Sequence, residues 1–401
     1  MLRISRQIIF SLTSPPCASY SDNRTNVLLG KNVFEEASAR LRAVKDQVKH
    51  EVAKGRGATL QIEGRFEGVV RERVDDGWGT ADEELPPFRT TVTVETAKSV
   101  IQRQNSPDLP YEISLNAYRG CEHGCIDCYA RPSHAYLNLS PGLDFETRLF
   151  AKPDAAKLLR AELAKRGYEC SPIALGSNTD PYQPIEREWK ITRQILEVLA
   201  ECRHPLSIVT KSALIERDID LLAQMARNDL VQVFISVTTL DAELARKLEP
   251  RASSPRRRLQ AVKRLNEAGV PCGVLVAPVI PFLTDAELEN ILQAAHDHGA
   301  RTTAYALLRL PYELKDLFKD WLAVHYPLKA EHVMSRLREM RGGRENDSEF
   351  GSRFSGNGLF AQLLSKRFQL ACERFGFNCD DVLLDTEKFV RPNLSGQRSL
   401  F

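Results

Sequence analysis

The sequence predicts an α/β protein whose core is a partial (β/α)6 barrel of parallel strands, and three observations carry that expectation. Short β-rich apolar runs alternate with amphipathic helical stretches from Glu112 onward, the pattern that feeds parallel strands through right-handed crossovers. Six such units fit before charged helical sequence takes over after Leu310. A loop dense in cysteine and glycine follows the first run, at the strand end where parallel sheets collect their ligands.

The strand candidates are Glu112–Ala117, Pro172–Gly176, Leu206–Lys211, Val231–Thr238, Val270–Ile280 and Thr302–Leu310. Helical windows fall between them, near residues 153–167, 188–202, 214–227, 254–268 and 284–298. Lys152-Pro153-Asp154, Ser254-Pro255 and Thr284-Asp285 supply helix-start chemistry. Upstream, Phe34, Ala37, Leu41, Val44 and Val48 share one face of a helix from Phe34 to about Lys54. A polar stretch containing Asp75-Asp76-Gly77-Trp78 then runs to about Phe88 and reads as loops packed on the main domain, without chemistry of its own.

Downstream, residues 312–343 read as charged helix and Leu359–Phe375 as a last helix. The glycine-rich connection from Gly342 to Gly358 lacks the Gly-Lys-Ser/Thr of a phosphate loop. The expected organisation is therefore a disordered tail over 1–30, an N-terminal extension over 31–105, the core barrel over 106–311 and a helical C-terminal region over 312–401. That last region caps the barrel mouth or merely packs against it.

Chemistry concentrates in Arg119-Gly120-Cys121-Glu122-His123-Gly124-Cys125-Ile126-Asp127-Cys128-Tyr129-Ala130. The spacing C-x3-C-x2-C offers three thiolates from one tight loop, and Gly120 and Gly124 free the backbone to fold around a bulky centre. A cubane [4Fe–4S] cluster held this way keeps one iron open to a small molecule. Zinc is the rival, with His123 or His134 as fourth ligand, although structural zinc sites usually pair two separated Cys-x2–4-Cys units and no second such pair exists here.

Composition narrows the setting. Hydrophobic residues at 43% suffice for a sizeable core, and a net charge of +2 gives no global case for nucleic acid or anionic membrane. Of nine cysteines, six stand singly, as free thiols do in a reducing, cytoplasmic interior. The longest apolar run, near Gly273–Leu283, is broken by Pro278 and Pro281 and is far too short to cross a bilayer. The first 21 residues carry no Asp or Glu, a composition shared by transit peptides and poorly ordered tails.

At the cysteine run the chain resembles the radical S-adenosylmethionine (SAM) superfamily, and over roughly Tyr111–Leu310 it is similar to the spore photoproduct lyase-like branch. The resemblance implies that Cys121, Cys125 and Cys128 ligate the cluster and that SAM chelates the open iron through its amino and carboxylate groups. In the superfamily the second strand end holds the SAM amino group; here that segment is Gly176-Ser177-Asn178-Thr179-Asp180-Pro181, so Ser177, Asn178, Thr179 and Asp180 are the candidates, with turn chemistry as the plain alternative. Lys211 at the third strand end and Ser236 on the fourth match positions that serve the cofactor in the lyase-like branch, Lys211 toward the SAM carboxylate. Asp127 stands where superfamily loops commonly place an aromatic on the adenine, which leaves Tyr129 as the stacking candidate.

The photoproduct lyases use a cysteine near the second strand end as hydrogen donor, and Leu175–Pro184 contains none. The expectation is a radical SAM enzyme, supplied with electrons by a flavodoxin or ferredoxin, acting on a substrate the sequence does not name. Its competitor is a zinc- or cluster-bearing nucleic-acid-binding protein that uses Arg251 and Arg256–Arg258 as phosphate contacts. Those arginines read more simply as a solvated helix start, and no RNA-binding signature is present.

Overall fold

The computed structural model describes residues 55–66, 89–380 and 382–393. The tail over 1–30, the helix from Phe34 and the Asp75–Trp78 stretch lie outside the described residues. Ten strands follow in order: β1 (Thr91–Val94), β2 (Ile101–Arg103), β3 (Ile113–Leu115), β4 (Tyr118–Arg119), β5 (Arg148–Ala151), β6 (Ile173–Leu175), β7 (Leu206–Thr210), β8 (Val231–Ser236), β9 (Cys272–Val279) and β10 (Thr303–Leu307).

The main sheet runs β10-β9-β8-β7-β6-β3-β2. Its six strands from β3 to β10 pair in parallel, and β2 adds an antiparallel edge. No pairing joins β10 to β2 among the described residues, so the barrel stays open, as the six-unit count predicts. Each predicted strand appears, trimmed to the part with ladder partners. Its apolar residues are the core: Ile113, Leu115, Ile173, Leu206, Ile208, Val233, Ile235 and Val274 are all at most 1% exposed. Burying each such side chain is worth about 1.5–3 kcal/mol, which is why the strands are legible as apolar runs.

Helices Ala155–Leu163, Ile191–Glu201, Ile219–Ala226, Pro255–Glu267 and Leu288–Asp297 occupy the expected windows. Thr284-Asp285 opens a 3-10 turn, Asp285–Glu287, that leads into the α-helix at Leu288, although Thr284 Oγ1 accepts from Ile280 N at 2.8 Å rather than capping it. Residues 312–343 form two helices, Leu314–His325 and Pro327–Met340, because Pro327 lacks the N–H that continuation needs. Periodicity did not reveal the short helices Leu143–Thr147 and Ala242–Leu248.

A second sheet, β1-β5-β4, braces the approach to the cysteine loop: Arg119 pairs with Phe150 across β4 and β5, two residues before Cys121. The C-terminal region spans the open side of the barrel. Leu307 N on β10 donates to Phe354 O at 2.9 Å, while Arg353 Nε meets Asp108 Oδ2 at 2.7 Å in the β2–β3 connection. No helix among the described residues is long and apolar enough to cross a membrane.

Candidate active site

Backbone geometry shapes the cysteine loop first. Gly120 and Gly124 adopt φ of +72° and +68°, where other residues are strained. A Cβ on Gly120 would approach Phe145 O to 2.8 Å, and one on Gly124 would approach Glu146 Oε2 to 2.6 Å. The loop therefore fits only glycine at both hinges. Cys121 N donates to Phe145 O at 3.0 Å, and Ile126 N to Leu248 O at 2.9 Å, tying the loop to two neighbouring helices.

A buried ion pair stands behind it. Arg131 and Glu146 are both fully buried. The Arg131 guanidinium donates to Cys125 O at 2.7 Å, Gly124 O at 2.9 Å, Gly142 O at 2.9 Å and one Glu146 oxygen. Glu146 also accepts from Gly57 N at 3.0 Å and Ala58 N at 2.8 Å, while Arg56 donates to Glu146 O at 3.1 Å. The stretch expected to be chemically idle thus forms the back wall of the loop. A Cβ on Gly57 would stand only 1.8 Å from Gly124 O.

Cys121 and Cys125 are buried, Cys128 is half-buried, and the Cys121 thiol lies within electrostatic reach of both of the others. Burial, and next the Cys121 neighbour, pushes Cys128 up to about 12; burial, with the Glu249 and Asp127 carboxylates and against Lys211, pushes Cys125 well above the usual thiol range. Three desolvated sulfurs held close in this way suit a metal centre, whose positive charge would replace their protons. That donor chemistry and the glycine hinges fit an iron–sulfur cluster. Of the histidines open to the zinc alternative, His123 turns Nδ1 to Asp180 Oδ2 at 3.3 Å, and His134 commits Nε2 to Arg148 O at 2.9 Å with its ring edge-on to Phe145.

Around the thiols the parallel strand ends form a polar collar. Asp180 accepts from Thr210 Oγ1 at 2.7 Å, Lys211 N at 2.7 Å and Tyr182 N at 2.8 Å, in addition to facing His123. Burial opposes its charge, yet His123 and these donors hold the carboxyl below its ordinary range. Burial likewise opposes charge on His123, but Asp180 and then Cys121 raise it to about 10, so the imidazole is cationic at neutral pH. One histidine of the loop is thereby locked to the second and third strand ends.

Lys211, half-buried, belongs to a second network. Its ammonium lies 3.6 Å from Asp127 Oδ2 and 3.3 Å from Thr238 Oγ1, and it contacts Glu249 directly. Glu249 also takes Arg258 and a 2.6 Å bond from Thr238 Oγ1. Burial alone would raise Glu249; Arg258 and then Lys211 bring it down to about 2. Atoms of Cys125, Asp127 and Glu249 lie within 4.8 Å of one another, and the Lys211 ammonium serves as the cation of that trio. The carboxylate expected to meet Lys211 from the cofactor is thus matched by two from the protein, and Asp127 Oδ1 is left buried without a hydrogen bond.

The remaining sequence candidates are placed as follows. Tyr129 is 48% exposed at the mouth and its hydroxyl donates to Ser177 O. Asn116 holds the second strand end, accepting from Asn178 N at 3.0 Å and Thr179 N at 3.2 Å and donating to Ser177 Oγ at 3.1 Å. Thr179 is buried; Ser177 and Asn178 are half-buried. Ser236 Oγ, deep on β8, donates to Ala277 O at 2.9 Å.

Of the arginines expected at a solvated helix start, Arg251 and Arg256 are exposed as expected, although Arg251 pairs with Glu122. Arg257 is half-buried against Glu216, and Arg258 is the correction: only 2% exposed, it serves Glu249. Residues that sequence reasoning missed are Arg131, Glu146, Gly57, Asn116 and Glu249. Gly57 and Asn116 act through partners 89 and 61 residues away, and the partners of Arg131, Glu146 and Glu249 follow no motif spacing.

Comparisons with known proteins agree with this geometry. Residues 115–295 match the family model of the Radical SAM superfamily. An uncharacterized protein of Mycobacterium tuberculosis is 38% identical over 238 residues, covering 59% of this chain and 69% of that protein. One of Methanocaldococcus jannaschii is 29% identical over 240 residues, covering 60% and 85%. A solved spore photoproduct lyase superposes with a TM-score of 0.50 at 17% identity, over 71% of this chain and 80% of that one. At that identity the likeness speaks to the fold alone.

Proposed function

This chain belongs to the radical SAM superfamily, and from that premise we propose that Cys121, Cys125 and Cys128 hold a [4Fe–4S] cluster whose fourth iron is left for S-adenosylmethionine. The protein is an enzyme of that superfamily, with SAM and an iron–sulfur cluster as its cofactors. Bound there, a reduced cluster would supply the single electron for reductive cleavage of the SAM sulfonium, the source of the superfamily's hydrogen-abstracting chemistry.

The residues divide by how far they reach the mouth. Tyr129, exposed there, and the half-buried Ser177 and Asn178 beside it are the groups proposed to meet SAM directly. Thr179, Asp180, Lys211 and Ser236 have internal partners and hold the strand ends that frame it. Arg131 and Glu146 keep the cysteine carbonyls in place from behind. A one-electron donor such as a flavodoxin or ferredoxin, in a reducing cytoplasm that suits the free thiols, completes the reading.

The observation that carries the reading is the trio of thiols, two buried and one half-buried, on one glycine-hinged loop past the carboxyl end of β3, with Cys121 in electrostatic reach of the other two. Its test is Cys125→Ala in anaerobically purified protein. Loss of both the brown colour and SAM cleavage is the expected result. A variant that kept its cluster and its cleavage would refute the ligand assignment.

A further inference from the structure

At the open side of the barrel one guanidinium has no hydrogen-bond acceptor or ion-pair partner among the described residues. Arg309 sits two residues past the end of β10, on the strand-end side that carries the cysteine loop. None of its donors meets an acceptor, and no carboxylate lies within ion-pair distance, among the described residues; its Nε is buried without a partner. The guanidinium lies 5.9 Å from the Tyr129 ring and 4.9 Å from the Phe354 ring. Tyr129 directly follows the third cysteine of the loop.

The surrounding arginines are all committed, which makes the exception informative. Arg353 is matched by Asp108 at 2.7 Å. Arg341, buried, donates to Leu308 O at 3.1 Å and Ser352 O at 3.0 Å. Those bonds, with Leu310 N to Asn346 Oδ1 at 3.2 Å, fix the backbone on both sides of Arg309. The side chain is therefore held in place by structure that gives it nothing to bond. Desolvating an unpaired charge is costly; aromatic faces recover part of that cost through cation–π contact. An oxyanion would recover more, through the paired N–H donors of the guanidinium fork. Burial, and next the Arg353 cation, lower the Arg309 pKa, while the Asp108 and Asp347 carboxylates act on it only from beyond ion-pair distance.

We propose that Arg309 anchors an oxyanion of the substrate, a carboxylate or a phosphate, between Tyr129 and Phe354 beside the cysteine loop. This assignment rests on the enzymatic reading above and adds the substrate's chemical class to it. It also gives the C-terminal region a part in the site, since Phe354 belongs to the segment that spans the open side.

Calorimetric titration of inorganic phosphate, and separately of acetate, into the full-length reconstituted protein tests it. Whichever anion binds wild type, Arg309→Gln should weaken it by about tenfold or more, Arg309→Lys should retain part of the affinity, and Arg227→Gln, at an exposed arginine past the helix Ile219–Ala226, should leave it unchanged. Thermal melts of each variant confirm folding. Equal anion affinity in Arg309→Gln and wild type, or no binding of either anion to wild type, overturns the proposal. So does complete displacement of the anion by SAM, because the anchor would then serve the cofactor's own carboxylate. Iron content and SAM cleavage are read on the same samples: their loss would count against the proposed function, whereas Arg309-independent binding in a brown, cleaving protein would count against the anchor alone.

Discussion

Arg131 and Glu146 form a fully buried ion pair whose cation also grips the carbonyls of Gly124 and Cys125. Breaking a buried pair by removing one partner leaves an uncompensated charge and typically costs ~3–5 kcal/mol. Glu146→Gln should therefore lower stability by that order and loosen the loop it backs. Thermal unfolding with and without bound iron measures both effects; an unchanged melt together with full iron retention would show that the pair does not support the loop.

Lys211 links Asp127 and Glu249, two buried carboxylates on separate segments. Glu249 is depressed to about 2 from an ordinary 4.5, so its stabilising contribution is present above about pH 4.5 and is lost as pH falls toward 2. Removing Lys211 raises the Glu249 pKa, so Lys211→Met should be less stable at neutral pH and should begin to unfold at a higher pH on acidification. Far-UV circular dichroism during acid titration reads the midpoint, and coincident curves for variant and wild type would reject the linkage.

Gly57→Ala would place a methyl 1.8 Å from the backbone oxygen of Gly124. Backbone cannot step aside cheaply, so the Arg56–Ala58 segment should detach from Glu146 and cluster retention should fall. Iron content after gel filtration is the measurement, with Gly167→Ala, which meets nothing within 4 Å, as the control. Equal iron in the two variants would mean that the back wall is dispensable.

His204 gives a second pH signature, remote from the thiols. Pro205 O can only accept, so the 2.9 Å contact puts the proton on Nδ1, and the 2.7 Å contact makes Nε2 the acceptor from the Tyr168 hydroxyl. Burial lowers its pKa from 6.5 to about 4. The folded state thus resists protonation, and its stability is intact above about pH 6.5 and declines as pH falls toward 4, by up to ~3 kcal/mol. His204→Asn should flatten that part of the stability–pH curve, measured by urea denaturation; an unaltered slope would exclude His204 as its source.

Much of this fold was readable because burial writes directly into sequence. Leu206–Lys211 and Val231–Thr238 were legible as strands since nearly every apolar residue in them faces core, and the cysteine loop was legible because its ligands are neighbours in the chain. Ala242–Leu248 was missed because seven residues hold too few turns to show a period. The support of the site was hidden for another reason. Gly57 reaches Glu146 across 89 residues, and Arg309 looks like any polar end of a strand until its lack of partners is seen. Lys211 was correctly placed at a strand end, but its two carboxylates come from segments whose approach only the folded chain reveals.

The most direct measurement is product analysis of the anaerobically reconstituted, reduced protein incubated with SAM. The account predicts about four iron per chain and release of 5′-deoxyadenosine with methionine, both lost in Cys125→Ala. Colourless protein holding a single zinc, with SAM recovered intact, would contradict it.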